Sequence, residues 1–342
     1  QDRHFLHKYA VCQKRKEMRT EMKKDDLAKN YFSVQDILAK LQDSMVLRQE
    51  MPDGSLEMTI YHILPGIYLV LNNVHTAYVP CMSGSTNDTI LTVNYCLEGR
   101  CEFQLPDNNY SYVDQHMSSI GTLRVQDSFY YPSAYYLGYE IYLYYPLFTQ
   151  ETRQILQLFS IDPELLFSKY RNIFLASTPA PLARIWEDLY AAREHISIGK
   201  VRLQTLHILQ YLTDETVVPQ VKNMFLTKTQ AGLAKRLKEI LTENLSEHRS
   251  VRSVADCFGI SETSLKNYFR LVYGQNISQF LNAERMKLAA ELLATTSNSV
   301  SDIAKACGYV NQGRFAKLFK EYHHMKPLDY RRNAALQNTA PN

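Results

Sequence analysis

SETSLKNYFRLVYG, residues 261–274, and GYVNQGRFAKLFKEYHH, residues 308–324, carry one apolar pattern twice. The first has Leu265, Tyr268, Phe269 and Val272; the second has Phe315, Leu318, Phe319 and Tyr322. Both sets read i, i+3, i+4, i+7, one face of an α-helix. Each is preceded by a shorter stretch with the same rhythm: Val251, Val254, Ala255, Phe258, then Val300, Ile303, Ala304, Cys307. A glycine turn joins each pair, Gly259-Ile260-Ser261 and Gly308-Tyr309-Val310-Asn311. A short helix, a tight turn and a second helix with a polar outer face make a helix-turn-helix. Two in tandem predict an all-α module that lays a helix of each pair in DNA.

Charge is segregated in the same way. From Lys228 onward there are 17 Lys+Arg against 10 Asp+Glu, whereas the whole chain has 38 against 35. The basic part is the part with the helix pairs, the electrostatic footprint of a nucleic-acid module.

At 342 residues, with 45% hydrophobic and 21% charged residues, the chain is expected to be globular with more than one domain. It has no apolar run long enough for a membrane span, and no apolar leader core follows Gln1. A cytoplasmic protein without membrane partners is therefore expected. The six cysteines form no CxxC pair. Cys257 and Cys307 are expected as reduced, buried thiols on helix faces.

Residues 1–50 read as a polar helical segment, with a capped start at Ser33-Val34-Gln35-Asp36. Over 51–146, turn clusters such as Pro65-Gly66, Glu98-Gly99-Arg100 and Pro106-Asp107 separate short runs rich in β-branched and aromatic residues. These predict an antiparallel sandwich or barrel, with strands at 57–63, 67–71, 90–96, 101–105, 111–113, 122–125 and 137–144. Eight tyrosines fall between Tyr130 and Tyr145, either as core packing or as an aromatic wall for a ligand. Residues 147–213 turn helical. The stripe Leu203, Leu206, Leu209, Leu212 predicts either a cap on the β domain or a homodimer contact. Residues 214–227 read as a linker, 228–332 as the DNA-binding domain and 333–342 as a tail. His62, His75 and His116 form no HxH pair, and the chain has neither a phosphate loop nor a GxSxG elbow. No catalytic residue, metal ligand or cofactor is expected.

VADCFGISETSLKNYFRLVYG at 254–274, AERMKLAAELL at 283–293, VSDIAKACGYVNQGRFAKLFKEY at 300–322 and KPLDYR at 326–331 resemble the DNA-binding domain of the AraC/XylS family of bacterial transcription regulators. His324 departs from that pattern, which usually has glycine there, and Gly313 puts a position without a side chain on the second recognition helix. NYCLEGRCE at 94–102 more weakly resembles regulators of the pyochelin-receptor type. In that family the N-terminal domain is a cupin-like β-barrel that senses a ligand, and the helices after it mediate dimerisation.

The resemblance implies an α+β multidomain protein: a cupin-like antiparallel β-barrel with flanking helices, then a tandem helix-turn-helix domain. It implies a ligand-responsive activator, homodimeric, acting on double-stranded DNA and RNA polymerase. The effector classes it suggests are an iron-chelating metabolite or a fatty acid. In the first recognition helix Thr263, Lys266 and Asn267 would face bases, beside Ser264, with Arg270 near the backbone. In the second the matching positions are Asn311, Gln312, Arg314 and Lys317. Lys320 and Arg331 are phosphate candidates. Arg285 is expected to be structural. The rival readings are a cupin-type enzyme with an appended DNA-binding module, which an HxH pair would favour, and a ligand-independent architectural DNA-binding protein, which the long β domain disfavours.

Overall fold

A computed structural model of the chain describes residues 43–80, 90–105, 109–122, 128–171, 174–214 and 225–339. The helical reading of residues 1–42 lies outside the described residues. From Ser44 the chain is already a strand: Met45, Leu47 and Met51 take the inner face of a hairpin, and Val46, Arg48 and Glu50 between them point outward.

Among the described residues nine strands come first: β1 (Ser44–Met51), β2 (Gly54–Leu64), β3 (Ile67–Val74), β4 (Tyr78–Pro80), β5 (Ile90–Gln104), β6 (Asn109–Asp114), β7 (Met117–Thr122), β8 (Ser128–Tyr130) and β9 (Tyr136–Tyr144). Helices α1 (Gln150–Leu158) and α2 (Pro163–Lys169) follow, then strand β10 (Phe174–Ser177) and helices α3 (Ala180–Ala192) and α4 (Ile198–Thr213). All strand pairs are antiparallel. The longest path through the sheet is β1-β2-β3-β9-β5-β6-β11, where β11 is Leu226–Thr227. Its two ends do not pair with each other among the described residues, so the expected barrel is an open, bent sheet there.

The bend lies in β5. The turn expected at Glu98-Gly99-Arg100 is instead an irregularity inside one 15-residue strand, with a register shift between Cys96 and Glu98. Gly99 sits at φ +87, where a Cβ would meet the Tyr135 carbonyl. A left-handed glycine with an extra residue is how a strand changes direction without ending. Up to Gly99, β5 pairs with β9, and with β7 over Leu91–Tyr95; from Arg100 on it pairs with β6 and β8. Of the strand expected at 122–125, residues 123–125 lie outside the described residues; Thr122 is the last residue of β7, which begins at Met117 after a turn with His116 at φ +60 and pairs with β5 and β10.

One face of the sheet is closed by the helices. Leu137, Tyr139, Ile141 and Leu143 of β9 pack with Leu69, Val93 and Tyr95 against α3 and α4. Trp186 of α3 is fully buried between Tyr95 and Tyr139, with ring centroids 5.7 Å away on each side. These tyrosines are therefore core packing. The opposite face holds Met51, Val74, Cys96 and Tyr136. It also carries a polar group in which Asn94 bonds Glu140 at 3.0 Å and accepts from the Tyr136 hydroxyl at 2.9 Å.

The dimer stripe fares differently from expectation. Leu206, Leu209 and Leu212 are buried at 5%, 0% and 1% exposure in the same core as Trp186, and only Leu203 stands out at 59%. A helix beside a sheet spends its apolar stripe on the nearer surface, so the cap reading is the one the structure contains. Leu206→Glu with Leu209→Glu, which would yield folded monomers if the stripe were a dimer contact, is expected instead to unfold the β domain. Leu209→Ala alone should cost about 2–5 kcal/mol, read by chemical denaturation with Trp186 fluorescence.

Candidate nucleic-acid interface

The remaining chain is helical: α5 (Lys228–Thr242), α6 (Val251–Phe258), α7 (Glu262–Tyr273), α8 (Ile277–Thr295), α9 (Val300–Ala306), α10 (Gln312–His323) and α11 (Pro327–Thr339). Of residues 214–227, expected as a linker, 215–224 lie outside the described residues, whereas Leu226–Thr227 forms β11 on β6 and Thr227 begins the capping box of α5. Helix α11 continues through most of the stretch expected as a tail.

Both helix pairs form as their periodicity dictates. Ser261 and Asn311 cap α7 and α10 by accepting from the backbone N–H groups of Ser264 and Arg314. Gly259 and Gly308 end α6 and close the turn after α9 with φ of +68 and +79. Leu265, Phe269 and Val272 are fully buried under the first pair, and Phe315 and Phe319 under the second. Tyr322, expected on the buried face, is 41% exposed. Cys307 is buried, but Cys257 is exposed. It lies about 100° round α6 from the centre of the Val254, Ala255 and Phe258 stripe.

The outer faces carry the predicted polar residues. Thr263, Lys266, Asn267 and Arg270 are exposed on α7, and Gln312, Arg314, Lys317 and Lys320 on α10. Ser264 is half-buried and tied to the Ser261 hydroxyl at 2.8 Å, so it is part of the cap. Asn311 is exposed, but its side-chain oxygen is occupied by capping, leaving its amide N–H groups outward. Lys266 pairs with Glu262 at 2.6 Å along its own helix, a contact that water screens and a phosphate can displace. Arg331 donates to the Asn298 carbonyl at 2.6 Å, so it braces α11 instead of reaching outward.

Two grooves repeat at the same place in each module. Lys266, Asn267 and Arg270 line one of about 500 Å³, closed by Asn276, Ile277 and Ser278 at the start of α8. Lys317, Lys320, Lys326 and Arg332 line another of about 540 Å³, closed by Pro327 and Leu328 at the start of α11. A helix N-terminus beside a cationic side chain offers N–H groups and positive charge together, as an anionic phosphate requires. The sequence reading does not include Lys326 or the α8 and α11 N-termini. Their signal was present: Asn276 and Lys326 lie fifty residues apart, like Arg270 and Lys320.

The modules are joined by α8, whose 19 residues give a rod of about 28 Å. Arg285 on α8 is 6% exposed and donates to the Leu245 carbonyl at 3.0 Å. It braces the loop before α6 and is unavailable for base reading. Among the described residues no group of three or more His, Cys, Asp or Glu is placed to hold a metal ion. His62 stacks on Tyr68, His75 packs on Tyr135, and His116 meets the Tyr95 hydroxyl at 3.1 Å.

A family model described as a helix-turn-helix domain matches residues 254–333. The chain is 34% identical over 95 residues to the regulatory protein SoxS of Salmonella typhimurium, across 28% of this chain and 89% of SoxS. It is 26% identical over 164 residues to the HTH-type transcriptional regulator YijO of Escherichia coli, across 44% of this chain and 58% of YijO. It thus spans most of SoxS but little more than half of YijO. Among solved structures, a transcriptional regulator with an AraC-type DNA-binding domain from Chromobacterium violaceum is 26% identical. That similarity covers 32% of this chain and 94% of that one, with a TM-score of 0.28.

His324 ends α10 in the left-handed conformation at φ +56, the position that Gly274 fills after α7 at φ +72. A Cβ is costly there, so His324→Gly is expected to stabilise the second module by about 1 kcal/mol. Denaturant midpoints of the full chain would measure this; a lowered midpoint would show that the His324 side chain contributes more than its backbone costs.

Proposed function

The chain belongs to the AraC family of DNA-binding transcription regulators, and from that premise we propose that it reads duplex DNA with α7 and α10 in neighbouring major-groove segments. The observation that carries this reading is the repeated groove: each recognition helix presents its polar face beside the N-terminus of the next helix, with Arg270 in one groove and Lys320 in the other. Thr263, Lys266 and Asn267 on α7, and Asn311, Gln312, Arg314 and Lys317 on α10, read base edges. Arginine and lysine suit guanine, whereas asparagine and glutamine suit adenine. Arg270, Lys320 and Lys326 hold phosphates. The α8 rod, about 28 Å long, sets the helices near one turn of B-DNA apart, about 34 Å.

The β domain is the sensing part in this reading, and regulation is activation through RNA polymerase by a homodimer. Support for sensing comes from the sheet face opposite the helices. Its Asn72 and Asn94 are buried, Glu140 is half-buried, and Met45, Leu47, Met58 and Tyr142 are partly exposed. A carboxylate there disfavours a fatty-acid head group in direct contact. That leaves a metal-chelating or hydrogen-bond-donating molecule with an apolar body as the better fit. Thermal shift of the full chain separates these classes: a ligand at 100 times its Kd stabilises by about 2.7 kcal/mol.

The DNA reading is tested on the full chain. Binding should weaken steeply with salt, each neutralised phosphate adding about 0.9 to the negative log–log slope. Arg314→Ala should cost about 1–3 kcal/mol on a selected site and relax the choice at one base pair. Lys320→Ala should weaken selected and random duplexes alike and lower the slope by about one. A flat salt response, or equal losses from both variants on every sequence, would overturn this placement.

A further inference from the structure

The C-terminal end of α7 does not face water. A helix leaves its last carbonyls without intrahelical partners, and two of those in α7 are taken by a side chain of the β domain. Arg100, on β5 just past the bulge, donates from Nε to the Val272 carbonyl at 2.8 Å and from Nη2 to the Leu271 carbonyl. It is 9% exposed, paired with Asp114 on β6, and lies 4.8 Å over the Tyr112 ring. Burial pulls its guanidinium down to about 10, which leaves it charged at neutral pH. A cation at a helix C-terminus also meets the negative end of the helix dipole.

Further contacts repeat the connection. Lys235 of α5 bonds Glu102 at 2.7 Å, and Glu102 is held on its other oxygen by the Tyr112 hydroxyl. The Tyr130 and Tyr273 hydroxyls meet at 3.1 Å. Tyr112 and Tyr130 share one apolar cluster with Leu237, Phe269 and Val272. The cluster under the second module holds no β-domain residue among those described. The β domain therefore grips one recognition helix of the two. Docking leaves Thr263, Lys266, Asn267 and Arg270 exposed, so the gripped helix is presented to DNA and not covered.

We propose that Arg100 is a positioning residue for DNA reading: by clamping the end of α7 it makes the β5–β6 hairpin set the direction of the first recognition helix, while α10 stays outside its control. The inference rests on the DNA-binding reading above. In consequence a change in the β domain acts on the first module only, and the second module is the constant anchor. Arginine is required because two adjacent carbonyls must be bridged by one planar fork, which a lysine ammonium does not match.

The test uses the full chain, wild type against Arg100→Met and Arg100→Lys, on a duplex selected by the wild type from a random-sequence pool. Affinity and hydroxyl-radical footprints are measured, and circular dichroism melting establishes folding. Footprints of Asn267→Ala and Lys317→Ala assign the two halves of the site. Arg100→Met is expected to weaken binding at least tenfold and to lose protection over the half read by α7, with the α10 half retained. Arg100→Lys should fall between it and wild type. Unchanged affinity and footprint, or protection lost evenly over both halves, would overturn the proposal. Should Arg100→Met fail to fold, Lys235→Met, which cuts the neighbouring bond, is expected to show the same one-sided loss, and an unchanged footprint there overturns it equally. A wild-type chain that selects no duplex at all would instead remove the DNA-binding reading on which this rests.

Discussion

A guanidinium taken out of water must find its bonds inside the protein, and the bonds that Arg100 finds join two domains. Its partners are Asp114 on the adjacent strand and the end of α7. That choice depends on the β5 bulge immediately before it. Gly99 turns the strand so that residues before the bulge pack on the helical layer, whereas Arg100 and Glu102 after it meet the first helix-turn-helix. Without the bend, strand alternation alone would not carry these side chains away from the core under the helical layer.

The domain organisation follows from that contact. Composition divides the chain into a β part and a basic helical part, but hydrophobic burial divides it elsewhere. The first helix-turn-helix shares its apolar cluster with Tyr112 and Tyr130 of the sheet, whereas the second has a cluster of its own around Phe315 and Phe319. Gly274 reflects the same arrangement. It ends α7 in the left-handed conformation, and a Cβ there would stand 3.1 Å from the Arg100 guanidinium. Its counterpart fifty residues on is His324, where α10 ends exposed. The repeat is thus symmetric in its fold and asymmetric in its attachments.

The polar surface of the helical part divides in the same way into residues that are spent and residues that are free. Arg285 and Arg331 are basic residues of a DNA-binding domain, yet both are bonded to backbone carbonyls. Ser264 and Asn311 serve the helix caps. Lys266, Asn267 and Arg270 remain outward along one groove and Gln312, Lys317 and Lys320 along another, each at a helix N-terminus whose N–H donors complement phosphate charge.

The sequence by itself determined the two helix pairs, their glycine turns, and which helix faces are polar, because those depend on spacing of three and four residues and on contacts within one short segment. It also determined β2, β3, β6, β9 and both halves of β5, where turn residues bracket β-branched runs. Only the tertiary structure decided that Glu98-Gly99-Arg100 is a bulge and not a turn, that Leu206 and Leu209 face the sheet, and that Leu226–Thr227 joins the β part. Each of these is settled by a partner far along the chain. A glycine flanked by polar residues suits a turn and a bulge equally, and an apolar stripe suits a sheet and a second subunit equally. The choice is made by which surface is within reach once the strands have paired, and local sequence does not carry that information.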